Sequence, residues 1–286
     1  SNASQESIRN TGRFVQPFTQ PDETSIPRSK TYRLGNLTLI LDPEFLIAKG
    51  SDGTQVFLGL RDDGTEVAVK RMNRFNYQDL RNEEEFLRLP ELESSSIVRY
   101  VDFAEDAHFG YLVLQLCEYS LEEYIQDHLP DDSAERSLVL KKLVKEVLYS
   151  LQVLHDKKTK VLHRDIKPQN VLIGRNIKGQ ARLADFGISR RLKQGETTLR
   201  TSIAGTRCWK AKENIHEKFN TGYKRSSDIQ VGRYSLEHLD DDVAKDLVEW
   251  MINENPNERP TVEQTLAHPF FWTDDRYNVI LMTFDR

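Results

Sequence analysis

The densest chemistry in the chain is the string His163-Arg164-Asp165-Ile166-Lys167-Pro168-Gln169-Asn170. Asp165 can accept the proton of an attacking hydroxyl. Lys167, two residues on, can neutralise a γ-phosphate, and Asn170, five residues on, can ligate Mg²⁺. A chance loop rarely sets these side chains at these offsets. Asp185-Phe186-Gly187 follows fifteen residues after Asn170, behind the apolar-rich Ala181-Arg182-Leu183-Ala184. Alone it is a common turn. In this order and at this distance, Asp185 reads as a second metal ligand, holding the cation that bridges β- and γ-phosphates.

Two upstream groups fit the same chemistry. Gly50-Ser51-Asp52-Gly53-Thr54-Gln55-Val56 lies between two strand-like runs. Its glycines would let a hairpin close over phosphates and offer backbone N–H groups, although a GxxG spacing alone is usually just a turn. Val67-Ala68-Val69-Lys70 ends the next strand-like run. Lys70 could reach the α/β-phosphates; standing alone it would read as a lysine snorkelling to water. It needs a glutamate on the following helix. Glu83 is favoured because Phe86 and Leu87 follow at core-facing spacing, with Glu84 as its rival.

Elements must position these groups. From Thr31 onward TYRLGNLTLIL, FLIAKG, QVFLGL, EVAVKRM and YLVLQLC read as strands, with a hairpin signal at Asp62-Asp63-Gly64. Residues 77–90 read as a helix. After residue 120 the text turns helical: SLEEYIQDHL, then 134–156 with Leu140, Leu143, Val147, Leu151 and Leu154 on one face, then DDVAKDLVEWMINENP and TVEQTLAHPFF. A β-rich half followed by an α-rich half predicts a two-lobed α+β protein.

Bulk properties exclude other classes. The 286 residues are 30% charged and 38% apolar, with a net charge of -5. That argues for a globular protein and against direct nucleic-acid binding by this chain. Cys117 and Cys208 are the only cysteines, so no disulfide framework is implied and a reducing compartment is expected. No apolar run is long enough for a membrane span. Ser1-Asn2-Ala3 reads as an expression scar, and residues 1–29 as a flexible arm with Pro17, Pro21 and Pro27.

These motifs in this order, over residues 40–272, resemble the eukaryotic protein-kinase family. Lys167, two residues after Asp165, is similar to the serine/threonine branch. The resemblance implies a bilobal protein-kinase fold that binds ATP with Mg²⁺ in the cleft. The N-lobe would span 30–117 and the C-lobe 118–275, leaving 276–286 as an extension. By the same match Gly50, Gly53, Val56 and Ala68 would line the nucleotide site. Leu114 would be the gatekeeper and Gln115 to Cys117 the hinge. Asp228 would brace the catalytic loop, and Arg259 would pair with Glu213 at the end of the activation segment. That segment carries Thr197, Thr198, Thr201 and Ser202 as phosphorylation candidates, with Arg164 as the expected receiver of a phosphate.

LQLCEYSLEEYI, VLHRDIKPQNVLI and HPFFW are further similar to the unfolded-protein-response kinase/endoribonucleases and ribonuclease L. That resemblance implies a homodimer, and a pseudokinase role as the alternative to an active enzyme. It also implies an attached RNase domain, which the fourteen residues after Trp272 cannot hold. The protein substrate is not readable. The expected location is the cytoplasm, or the cytosolic face of a membrane within a larger protein. Two departures stand out. The family's Ala-Pro-Glu is Ala211-Lys212-Glu213 here. The stretch from Asp228 to the DDVAKDLVEW helix is also too short for the long apolar helix that fills this lobe. Either residues are missing between Gln230 and Val231 or this lobe is truncated; losing that helix would leave the core unfilled, which favours an omitted segment.

Overall fold

The computed structural model of the chain describes residues 31–50, 53–75, 77–174, 179–192, 236, 239–253 and 255–272. Its first half is one curled antiparallel sheet of seven strands. β1 (Thr31–Leu34) and β2 (Leu37–Ile40) form a hairpin over Gly35, whose φ of +58° suits a residue without Cβ. β3 (Leu46–Lys49), β4 (Gln55–Arg61), β5 (Glu66–Asn73), β6 (Tyr100–Glu105) and β7 (Phe109–Gln115) follow. The order is β1-β2-β4-β5-β7-β6, with β3 also on β4. β2 and β3 share one edge of β4: β2 pairs with Gly59–Arg61 and β3 with Gln55–Phe57. Between them the chain makes a 3₁₀ turn at Pro43–Phe45, where Asp42 accepts from the Glu44 N–H. The Asp62-Asp63-Gly64 turn joins β4 to β5, with Gly64 at φ +80° and the Thr65 N–H donating to Asp63.

Period-two alternation gives the sheet two apolar faces. Leu37, Leu39, Val67, Val69, Tyr111 and Val113 pack together inside the curl. The opposite face sends Met72, Leu112 and Leu114 to helix α1 (Gln78–Leu87), where Leu80, Phe86 and Leu87 are buried. The two N-terminal strands are stapled over the curl by Asp106, which accepts from the Tyr32 and Tyr111 hydroxyls at 2.9 and 2.6 Å.

The second half is helical as the sequence predicts. α2 (Leu121–Asp127) starts with a capping box between Ser120 and Glu123, and α3 (Ser133–His155) starts on Asp132. α4 (Asp242–Met251) is capped by Asp241, and α5 (Val262–Ala267) by a box of Thr261 and Gln264. Short strands lie between α3 and α4: β9 (Val161–Leu162), β10 (Val171–Ile173), β11 (Ala181–Leu183) and β12 (Arg190–Arg191). β10 pairs with β11 and with β8 (Tyr119–Ser120), and β9 pairs with β12. No helix among the described residues is long and apolar enough to cross a membrane.

Both halves share one core. Met72, Leu80, Leu112 and Leu114 from the sheet side join Leu143, Leu154, Val161, Ile173 and Leu183 in one buried cluster. Residues 96–98 form the seam: the Val98 N–H donates to Leu183 O and the Leu183 N–H to Ser96 O, each at 2.9 Å.

Candidate active site

β5 presents Ala68 and Lys70 on the face opposite Val67 and Val69, because alternate residues of a strand point to alternate sides. Lys70 Nζ reaches Glu83 Oε2 on α1 at 2.6 Å and Asp185 Oδ1 at 2.8 Å. This resolves the choice of glutamate in favour of Glu83, which is only 1% exposed. Glu84 is buried too, but faces the other way, between Arg81 at 2.7 Å and Arg88 at 3.2 Å. Burial penalises the Lys70 cation, yet the Glu83 and Asp185 carboxylates outweigh it and hold its pKa above the ordinary value. Burial pushes the Glu83 carboxyl up against the pull of Lys70, and among the described residues its Oε1 has no hydrogen-bond partner. Asp185 is held below the usual carboxylate range, since Lys70 overcomes the effect of burial.

The loop between β9 and β10 carries the second group. Asp165 Oδ2 meets Lys167 Nζ at 2.8 Å, and Asn170 Nδ2 donates to Asp165 O at 2.8 Å and to Asp165 Oδ2 at 2.9 Å. Asn170 sits in a 3₁₀ turn begun by Pro168, and the Ala184 N–H donates to its carbonyl, which sets the loop beside Asp185. His163 is buried beneath. Its Nδ1 accepts the Asp165 N–H at 3.3 Å, so Nε2 carries the proton and donates to Ala184 O at 2.9 Å. Burial lowers its pKa and favours this neutral form. The ring meets the fully buried Phe186 edge-on, with centroids 4.9 Å apart. Asp185 and Arg164 lie at φ +66° and +72°, a conformation that is strained for both residue types.

The nucleotide-site expectations fall on one face of the sheet. Val56 stands opposite Lys70 across β4 and β5, and Ala68 opposite Leu114 across β5 and β7. Leu114 is buried; the Gln115 N–H donates to Arg99 O, and Cys117 is half-buried, its thiol pushed up to about 11 by burial. Gly53 takes φ +85°. The Gly50 N–H closes the hairpin itself, donating to Thr54 O at 2.8 Å. Arg164 is half-buried, and its pKa is lowered by burial first and then by the charge of Arg190. Arg259 Nε donates to Asn253 O at 2.8 Å. Thr197, Thr198, Thr201, Ser202, Glu213 and Asp228 lie outside the described residues, as do the arm, the extension and the shortened stretch at 230–231.

The donor set fits Mg²⁺, a hard cation that takes oxygen ligands. The Asp185 side chain is 42% exposed. With Asn170 Nδ2 committed to Asp165, its Oδ1 is the atom left to meet a cation.

A further side chain joins the site without any motif to announce it. Asn82 Nδ2 lies 3.1 Å from Phe186 O, 2.8 Å from Gly187 O and 3.1 Å from Ser189 O. The only sequence cue is an asparagine inside a helix, where its side chain competes with the backbone and needs a reason to be there.

Comparison with known proteins agrees with this geometry. Residues 46–236 match the protein kinase domain. Human serine/threonine-protein kinase/endoribonuclease IRE2 is 29% identical over 312 aligned positions, covering 96% of this chain and 32% of the relative. The corresponding ire-1 of Caenorhabditis elegans is 30% identical over 274 positions, covering 83% and 28%. Rice IRE1 (Oryza sativa subsp. japonica) is 30% identical over 273 positions, covering 80% and 30%. The chain spans about a third of the length of these curated relatives. The human alignment is longer than the 286-residue chain, so the relative carries residues with no counterpart here. With the kinase match covering about two thirds of the chain and its motif residues converging in one cleft, the chain belongs to the protein-kinase family.

Proposed function

We propose that this domain is a serine/threonine protein kinase that transfers the γ-phosphate of ATP to protein hydroxyls. The observation that carries this reading is the continuous line of contacts Glu83–Lys70–Asp185, set beside Asp165, Lys167 and Asn170. Lys70 stays charged and is fixed by Glu83, so it is oriented toward phosphate oxygens before a nucleotide arrives. When bound, Mg²⁺ neutralises charge developing on the phosphates; Asp185 and Asn170 would hold it. Asp165 accepts the hydroxyl proton, and Lys167 on the same carboxylate is placed to neutralise the transferring group. Lys167 at this offset, and the similarity to serine/threonine-protein kinase/endoribonucleases, support serine and threonine as acceptors.

The test separates binding from turnover. Asp165→Asn should abolish ³²P transfer from ATP while keeping the thermal shift produced by Mg-ATP, because its role is met only during transfer. Undiminished transfer by this variant would remove the kinase reading. Autophosphorylation within the activation segment belongs to the same proposal, with Arg164 and Arg190 as receivers of the new dianion. After incubation with ATP, mass spectrometry should find phosphate on Thr197, Thr198, Thr201 or Ser202; an active enzyme unmodified across 195–206 would refute that part.

A second reading is a regulatory pseudokinase whose nucleotide-bound state drives homodimerisation beside an RNase domain. Lys212 in place of the family's proline and the paired kinase/endoribonuclease names of the relatives favour it. It predicts a Mg-ATP thermal shift and nucleotide-dependent dimers in sedimentation, with no phosphate transfer.

A further inference from the structure

Asp185 must keep a strained backbone while aiming its carboxylate into the cleft. Its φ of +66° is a left-handed conformation that L residues with a Cβ avoid. The residue before it is tied down: the Ala184 N–H donates to Asn170 O, and Ala184 O accepts from His163. Of the residues after it, Ser189 donates its hydroxyl to His163 O at 3.2 Å and its N–H to Phe186 O at 3.0 Å, and one side chain gathers three carbonyls of the segment. The carbonyls of Phe186, Gly187 and Ser189 converge on Asn82 Nδ2 at 2.8 to 3.1 Å. An amide nitrogen has two hydrogens, so three acceptors share two donors.

Asn82 immediately precedes Glu83 on α1. The helix therefore grips the cleft twice, through Glu83 on Lys70 and through Asn82 on the segment behind Asp185. The fit between helix and segment is close as well. A Cβ added to Gly187 would lie 3.3 Å from Asp79 Cβ and 3.4 Å from Asp79 O, both in the first turn of α1. The outer side of the same helix is tied to the sheet by Arg81, which meets Glu105 at 2.8 Å and stacks over Phe103 at 4.1 Å. A displacement of α1 would break Lys70–Glu83 and release the three carbonyls together.

We propose that Asn82 is a positioning residue: its amide holds the Phe186–Ser189 backbone so that Asp185 points at the metal. This rests on the kinase reading above. Asn82 touches neither nucleotide nor metal, and acts through Asp185 alone. Removing it leaves Lys70, the apolar wall of the nucleotide site and the helix in place, but lets the strained Asp185 relax.

The experiment compares the full chain with Asn82→Asp, Asn82→Ala and Asp185→Asn. Asn82→Asp keeps the shape, removes both donors and sets an oxygen against three carbonyl oxygens. Each protein is melted without ligand, with ATP and EDTA, and with ATP and Mg²⁺; kcat and KM for ATP are then measured. The expected result is an unchanged shift with ATP and EDTA. The extra shift given by Mg²⁺ should fall to that of Asp185→Asn. kcat should drop by about tenfold to a hundredfold, as misplacement of a reacting group does, with a smaller change in KM. A residue of merely structural importance would lower the ligand-free melting temperature and leave the Mg²⁺ increment at the wild-type value; that outcome overturns the proposal. Asn82→Ala gives the same readout should the aspartate variant fail to fold. If wild type itself shows no Mg²⁺ increment and no transfer, the kinase reading fails first and takes this one with it. If wild type shows both and the Asn82 variants keep both, only the role of Asn82 is lost.

Discussion

Lys70 and Glu83 are the most tightly constrained charged pair at the site. Glu83 is buried at the end of a 2.6 Å contact, and its other oxygen has no hydrogen-bond partner among the described residues. Taking away Lys70 strands that carboxylate in the core. Lys70→Met should therefore cost about 3–5 kcal/mol, the range for breaking a buried pair from one side. Adding Glu83→Leu to it should recover a large part, since an apolar pair of similar volume removes the stranded charge. Denaturant midpoints of the single and double variants check this, and additive losses would sink it. Lys70, Asp165, Asn170 and Asp185 were legible in the sequence because each belongs to a contiguous string whose internal offsets carry the chemistry. Glu83 was half legible: core spacing favoured it, but only three-dimensional packing sends its neighbour Glu84 to Arg81 and Arg88 instead. Asn82 was not legible, because its acceptors lie more than a hundred residues away and are backbone atoms, which no sequence distinguishes.

Among the elements, the β1–β2 hairpin is tied to β7 through one carboxylate. Asp106 receives the hydroxyls of Tyr32 and Tyr111 and the N–H groups of His108 and Phe109. Burial works against the ionised form, but these donors outweigh it and bring its pKa to about 2. A carboxyl depressed in the folded state gives stability that is complete above its unfolded value and is lost as pH falls through the folded one. The Asp106 contribution should thus be intact at pH 6 and fade between roughly pH 4 and pH 2. Melting temperatures of wild type and Asp106→Asn should differ at pH 6, with the gap narrowing below about pH 4 and closing toward pH 2. A constant gap would show that the staple is not electrostatic. The long elements were legible from periodicity: β4, β5, β7, α1 and α3 fall close to where apolar spacing puts them. β6 was not. Asp102 and Glu105 interrupt its apolar pattern, and a register shift between Tyr100 and Asp102 breaks the alternation. β8 to β12 are two or three residues each, too short for any period to show.

At the scale of the molecule, the two lobes are not independent folding units. Ile97 and Leu183 lie at the centre of a cluster that draws on both, and the backbone bonds at Ser96 and Val98 close the seam. Unfolding is expected to be a single cooperative step. Trp250 and Trp272 report the helical lobe by fluorescence, while far-UV circular dichroism reports both lobes; the two transitions should coincide. Separate midpoints would show that the seam does not couple them. The β1–β2 hairpin also bears on how this domain can be handled. The family match begins at residue 46, yet the sheet begins at Thr31. A protein cut to the matched range would lose Leu37 and Leu39 from the curl, bare Val67, Val69, Tyr111 and Val113, and leave the Gly59–Arg61 half of β4 without its neighbour. An open strand edge beside an uncovered apolar face is a template for aggregation. A protein meant to keep the sheet closed therefore has to include at least the fifteen residues upstream of the matched range.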